Sequence, residues 1–236
     1  MLQNCLTTDM KKILLLIFIG FKFFYLSQTT VKDAGGNIYP VVKIGNQIWM
    51  AENLRTEVFA NGEPITQITS NRYWQEVSLF AFNDSTLSEI WPVMCYMNNI
   101  KSKNGALYNW YVVTDDRGVC PSGWHIPSTE EYQEMIDYLG GMQNASKKLK
   151  SSLTWKIPGN NLSKFNAQKI GFRVGTGEFE LERTSLWTDV INEEVNKFNG
   201  AISLSATLLD LDEDDSKTHF QNVFFNAGAS VRCIKN

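Results

Sequence analysis

Residues 105–132 read GALYNWYVVTDDRGVCPSGWHIPSTEEY, and this stretch ends in the clearest helix signal of the chain. Ser128 lies three residues before Glu131, which is the spacing of a capping box, and the pair Gly140-Gly141 supplies a stop. Four residues follow at the spacing of one helix face: Tyr132, Met135, Ile136 and Leu139. The pattern predicts one main helix after Pro127, with that face buried.

Strand signals lie on both sides of this helix. Upstream, β-favouring residues flank Gly45-Asn46 within residues 38–50, which predicts a hairpin with a two-residue turn. Downstream, apolar and polar residues alternate in 178–182 and 202–208, and residues 223–225 and 230–234 are two further short strands. This order predicts an α+β fold with short antiparallel strands and long loops, rather than alternating βαβ units.

Residues 56–91 have no regular period and contain turn signals throughout. Connections of this length are seldom structureless in compact domains, so short elements are expected around Tyr73, Trp74 and Phe80. A second short helix is predicted at residues 145–151, after the main one.

The composition describes a globular protein. Of 236 residues, 43% are hydrophobic and 20% are charged, which is unlike a disordered chain or a membrane bundle. The formal net charge is −3 and the 22 basic residues are scattered along the chain. Phosphate binding needs clustered basic residues, so nucleic acid is not expected as a partner.

The amino-terminal region has the pattern of an export signal. Lys11 and Lys12 precede an apolar stretch at 13–26. We therefore expect residues 1–28 to be a leader, with Met10 as an alternative start, and residues 29–236 to form a single domain. The expected location is outside the cell, at its surface or in the periplasm. If the leader is cleaved, the mature chain has no membrane span; an uncleaved anchor is the alternative.

Four separated segments resemble one family. They are GGNIYPVVKIGNQIWMAENLRT at 35–56, GALYNW at 105–110, CPSGWHIPSTEEY at 120–132 and ASVRCIK at 229–235. Together they resemble the Fibrobacter succinogenes major paralogous domain, a module of exported proteins in Bacteroidetes-like bacteria, over residues 33–236. The same segments are similar to the C-type-lectin-like fold, including its formylglycine-generating-enzyme-like branch. The resemblance implies a fold and a compartment but no settled ligand or reaction.

Removal of the leader would leave Cys95, Cys120 and Cys233, which allow three single pairings in an oxidising compartment. The resemblance favours a disulfide between Cys120 and Cys233, because both stand in segments shared with the family. Three reduced, buried thiols are the alternative.

Aromatic and histidine residues are the first candidates for chemistry. Trp74, Trp91 and Trp155 lie in turn-rich segments, where an exposed ring would contact a ligand. By contrast, core packing is expected of Tyr108, Trp110 and Trp124. His125 near Cys120 suggests a cysteine–histidine pair, but no orienting third group is evident, so a structural role is expected and no catalytic residue is predicted.

The acidic run near the carboxyl end is the second candidate. Asp210, Asp212 and Asp214 offer oxygen ligands for calcium at alternate positions. The run lacks the glycine and the terminal glutamate of an EF-hand loop, so an acidic hairpin tip is the other interpretation. No other cofactor is predicted.

These observations predict an exported, non-catalytic recognition module that binds glycan or an envelope or host protein. A structural cell-envelope domain without a small ligand is the first alternative. The second is an oxidase-like enzyme, by analogy with a branch of the same fold that holds copper with a cysteine pair; the few cysteines of this chain argue against it.

Overall fold

The computed structural model describes residues 29–80, 92–195, 202–213 and 218–236, so the expected leader lies outside it. The strands are Thr30–Lys32 (β1), Ile38–Ile44 (β2), Gln47–Met50 (β3), Thr66–Gln67 (β4), Val93–Cys95 (β5), Leu107–Tyr108 (β6), Trp124–His125 (β7), Phe172–Arg173 (β8), Phe179–Glu180 (β9), Arg183–Val195 (β10), Ile202–Asp212 (β11), Thr218–Val223 (β12) and Ile234–Lys235 (β13). The α-helices are Asn71–Phe80 (α1), Trp110–Val113 (α2), Thr129–Tyr138 (α3) and Met142–Leu149 (α4). No helix in this part of the chain is long and apolar enough to cross a membrane.

A five-stranded sheet has the order β1-β2-β3-β13-β7. The β2–β3 hairpin turns at Gly45, which has a φ of +61°, as the sequence predicts. Strand β13 lies in the interior of the sheet, because Ile234 pairs with Trp49 of β3 on one side and with His125 of β7 on the other. The carboxyl-terminal strand therefore joins the early hairpin to the middle of the chain.

Helix α3 begins at the predicted capping box. The Glu131 N–H donates to Ser128 Oγ at 3.1 Å, and the Ser128 N–H donates to Glu131 Oε2 at 2.9 Å. The predicted apolar face is buried, and the Tyr132 ring lies 5.1 Å from that of Trp49 between ring centroids. Helix α3 thus covers the five-stranded sheet. The second helix, α4, starts at residue 142, three residues earlier than predicted.

A second sheet consists of β10, β11 and β12, all antiparallel. Its central part is buried on both faces, since Trp187 and Leu208 belong to one core cluster and Leu186 and Leu209 to another. The register shifts between Trp187 and Ile191, where β10 carries an irregularity. Beyond that point, β10 and β11 leave the core as a two-stranded hairpin.

The fold is α+β, as predicted, but its strands differ from the predicted ones. The strand predicted at 223–225 overlaps only the end of β12, the strand predicted at 230–234 overlaps β13 only at Ile234, and β10 was not predicted. Strands β10 and β11 have 13 and 11 residues, so not all strands are short. Strands β4 and β5 pair in parallel, because α1 and the residues after it intervene between them. The short element predicted around Tyr73, Trp74 and Phe80 is helix α1, whereas β4 was not predicted.

A covalent bond and a buried arginine hold the carboxyl-terminal segment in place. The predicted disulfide between Cys120 and Cys233 is present, with the two Cα atoms 5.9 Å apart. Arg232 is fully buried, donates from Nε to Asn53 Oδ1 at 2.9 Å and also donates to the Phe165 carbonyl. Burial lowers the pKa of Arg232 to about 9. The segment ASVRCIK thus contacts the segment that contains Asn53.

Candidate functional site

Polar side chains cluster on one face of the β10–β11–β12 sheet, at the end where β10 begins. Arg183 of β10 pairs in register with Asp212, and His219 of β12 pairs with Asp210. Because alternate residues of a strand share a face, these side chains and that of Gln221 lie on the same side. The register of three strands therefore brings together residues that are distant in sequence.

Arg183 is the centre of the cluster. Its Nη2 lies 2.9 Å from Glu180 Oε2, and its Nη1 donates to Asp210 Oδ2 at 3.2 Å and to Gln221 Oε1 at 3.1 Å. The guanidinium carbon lies 4.0 Å from the centroid of the Phe172 ring. The edge of the guanidinium is hydrogen-bonded, its face packs on the Phe172 ring, and two carboxylates neutralise its charge.

The titratable groups around Arg183 differ in exposure. Asp210 is fully buried, and burial raises the pKa of its carboxyl, an effect that the neighbouring Arg183 charge opposes. His219 is about half exposed, with Nδ1 3.5 Å from Asp212 Oδ2 and Nε2 3.9 Å from Asp210 Oδ2. Asp210 is thus a fixed structural partner, whereas Asp212 and His219 are open to solvent.

Two surface concavities meet at Glu180 and Arg183. One, of about 600 Å³, extends towards Asp212 and Glu213. The other, of about 500 Å³, extends along the hairpin and the end of β12; we call it the hairpin groove. Its polar lining includes Glu180, Arg183, Glu194, Ser203, Ser205, Gln221, Asn222 and Asn226. Phe224, also in the lining, is 71% exposed.

Trp74 and Trp155, which the sequence named as ligand contacts, do not line these concavities. Trp74 is buried and its Nε1 donates to the Asn226 carbonyl at 2.8 Å, while Trp155 is buried and donates to the Ala167 carbonyl at 2.8 Å. Ligand contact needs an exposed ring, so the expectation of exposure is wrong for these two. Each turn-rich segment folds back and packs its ring into the core. Trp91 lies outside the described residues.

The acidic run begins at the end of strand β11. Asp210 and Asp212 are in its last three residues, just before the connection to β12, and Asp214 lies outside the described residues. Within the described ranges, no group of three or more His, Cys, Asp or Glu residues is arranged to hold a metal ion. Calcium binding by Asp210, Asp212 and Asp214 stays a prediction.

His125 connects α3 to the end of the chain. Its Nε2 lies 2.9 Å from Glu131 Oε1 and its Nδ1 lies 2.6 Å from Asn236 Oδ1. The sulfur of Cys120 is bonded to Cys233, so it is not a thiol that His125 could activate. Cys95 is a buried free thiol, and burial raises its pKa to about 11.

Sequence reasoning missed the residues that line the groove. Arg183 and Gln221 carry no motif, and only strand register brings them together. One signal was available in the pair Phe224-Phe225, since neighbouring residues of an extended segment point to opposite sides. Phe225 stacks on Trp110, with ring centroids 5.9 Å apart, and Phe224 is left exposed.

A family model described as the Fibrobacter succinogenes major domain matches residues 42–235. No curated protein matches the chain, and no solved structure does.

Proposed function

We propose, from the premise that this chain belongs to the Fibrobacter succinogenes major domain family, that it is an exported recognition module that binds neutral glycans in the hairpin groove. The observation that carries the proposal is the lining of the groove. Amide, hydroxyl, carboxylate and guanidinium groups surround a concavity with a largely exposed phenyl ring, Phe224, at its side.

Such a lining suits sugar rings. Hydroxyl groups of a glycan both donate and accept hydrogen bonds, and Ser203, Ser205 and Asn222, which the strand register places on one face, offer both functions. The apolar face of a pyranose packs on an aromatic ring, which Phe224 provides. This pairing of a polar groove with an exposed ring favours glycan over a purely apolar ligand.

The charge of the groove favours neutral sugars. Arg183 has two carboxylate partners, Glu180 and Asp210, and Glu194 adds a further negative charge to the lining. An anionic sugar would therefore meet no unbalanced positive charge in the groove.

Export and a lectin-like fold belong to the same proposal. Lys11 and Lys12 before the apolar stretch 13–26 support export, and so does the Cys120–Cys233 disulfide, because such bonds persist in oxidising compartments. The α+β architecture, with the terminal strand inside the main sheet, supports kinship with C-type-lectin-like domains. The oxidase alternative requires a cysteine pair, and Cys120 and Cys233 are bonded to each other.

A glycan panel tests the proposal with the full, oxidised chain. We expect binding to neutral oligosaccharides that weakens about tenfold in Phe224→Ala, through loss of ring stacking, and also weakens in Gln221→Ala. The matched control is Tyr138→Ala, since Tyr138 is 66% exposed and lines a different concavity. Folded protein that binds no glycan would favour the structural alternative.

Calcium is examined in the same panel. Binding that requires millimolar calcium and is lost in Asp212→Asn would add a calcium site beside the groove. Binding that is unchanged in a chelator would remove calcium from the proposal.

A further inference from the structure

The hairpin formed by β10 and β11 continues past the end of β12. Strand β12 ends at Val223, opposite Ala206, whereas β10 and β11 stay paired as far as Val195 opposite Ile202. We call residues 191–195 and 202–205 the hairpin extension. Among the described residues, no strand pairs with the outer edge of β10 or of β11 within this extension.

One face of the extension is apolar and exposed. Cross-strand pairing places its four apolar side chains on the same face: Ile191 (51% exposed), Val195 (56%), Ile202 (61%) and Leu204 (39%). None of the four lines the hairpin groove. The opposite face is polar, and there Asn192 Nδ2 donates to Thr207 Oγ1 at 2.7 Å and to Asn222 Oδ1 at 3.1 Å.

The extension is also acidic. Residues 191–195 and 202–205 contain Glu193 and Glu194 but no lysine or arginine. Glu193 pairs with Leu204 and therefore lies on the apolar face, between Ile191 and Val195. A second copy pairing through the same edge would bring carboxylates together, which disfavours self-association.

We propose that the hairpin extension binds an extended, basic segment of a partner protein, which adds as a strand to the outer edge of β10. Main-chain hydrogen bonds would hold the segment, as in other cases of strand addition to a sheet edge. Its apolar side chains would pack beside Ile191 and Val195, with a lysine or arginine opposite Glu193. The proposed partner would use the outer edge of β10 and the apolar face, whereas Glu194, Ser203 and Ser205 of the same strands point to the opposite face and line the hairpin groove. The proposal does not depend on glycan binding.

A defined peptide tests the proposal by NMR titration of the ¹⁵N-labelled full chain. The probe is Thr-Val-Thr-Lys-Lys-Val-Thr, compared with the peptide in which both lysines are glutamate. We expect the lysine peptide to bind about tenfold more tightly and to shift the amides of residues 191–195. N-methylation of alternate peptide amides is expected to abolish binding, because it removes the donors of the new strand.

Two variants separate charge from apolar contact. Glu193→Lys is expected to reverse the preference, so that the glutamate peptide binds more tightly. An NMR spectrum that is unchanged outside the hairpin extension would show that this variant is folded. Val195→Thr keeps a β-branched residue and is expected to weaken binding several-fold. The matched control is Ile38→Thr, since Ile38 is equally exposed, at 56%, and lies on strand β2 of the five-stranded sheet.

Four results would overturn the proposal. They are no binding of the lysine peptide, equal binding of both peptides, amide shifts confined to other residues, or an unchanged preference in Glu193→Lys. A dimer that Val195→Thr dissociates would assign the surface to a second copy. Strong hydrogen-exchange protection of amides 191–195 in the monomer would assign it to the chain itself.

Discussion

Loss of the disulfide between Cys120 and Cys233 is expected to lower the free energy of unfolding by about 4 to 5 kcal/mol. The two cysteines are 113 residues apart in sequence. The chain-entropy relation assigns about 5 kcal/mol at 25 °C to a cross-link that closes a loop of this length. Single domains have about 5 to 15 kcal/mol in total, so the variant should fold with a much smaller margin.

The assay is urea unfolding at 25 °C of the double variant Cys120→Ala/Cys233→Ala against the parent, with Cys5→Ser in both to prevent mispairing. For an m-value of about 2 to 3 kcal/mol per molar urea, the midpoint should fall by about 2 M. Reductant should lower the parent to the midpoint of the variant and should leave the variant unchanged. Peptide mapping without reduction would identify the bonded pair.

Equal midpoints for the parent and the double variant, within about 0.5 M urea, would refute the reasoning. They would show that the unfolded chain is not restricted by this bond in solution. A parent whose midpoint does not change in reductant would lead to the same conclusion. A disulfide that peptide mapping assigns to Cys95 would show that the pairing of Cys120 with Cys233 is wrong.

Three further substitutions test the core, and a fourth, Gly62→Ala, is an exposed control. Burial first, then the hydrogen bond to Asp33, raises the pKa of Tyr39, so the stability that Tyr39 contributes should be fully present below about pH 10 and should be lost by about 1.4 kcal/mol per pH unit above it. In urea unfolding from pH 9 to 11, the fall in stability should be smaller by this amount for Tyr39→Phe. Gly105→Ala should cost about 2 kcal/mol or more, because Gly105 has a φ of +131° and a Cβ there would lie 2.6 Å from Asn53 Cβ. In urea unfolding, the control Gly62→Ala, at a φ of +89° with no atom close to the new Cβ, should lose about half as much stability as Gly105→Ala. Arg232→Lys should cost about 2 to 3 kcal/mol in urea unfolding, since one ammonium cannot reproduce the forked bonds of the guanidinium; an unchanged midpoint would contradict this role.

Local signals predicted the elements that local interactions build. The capping box of Ser128 and Glu131 and the turn at Gly45 each depend on a few neighbouring residues, so helix α3 and the β2–β3 hairpin could be found in the sequence. The disulfide was found by a different route, from the family segments that contain Cys120 and Cys233.

Long-range packing was beyond this reasoning. Trp74 is buried, and its indole N–H donates to the carbonyl of Asn226, which is 152 residues away in the chain. Nothing in the sequence near Trp74 indicates that contact. Arg183 meets Asp210 and Gln221 only through the register of three strands, which the sequence does not specify. The groove therefore became visible only in three dimensions.

The place of β13 has a consequence for the order of events during synthesis. Until residues 234 and 235 have left the ribosome, β3 and β7 lack the strand that lies between them, and Cys233 cannot meet Cys120. The emerging chain can form hairpins and helices, but the five-stranded sheet cannot close until β13 has been made. A chain that stops before residue 234 would therefore leave β3 and β7 without the strand that joins them, and Cys120 without its disulfide partner.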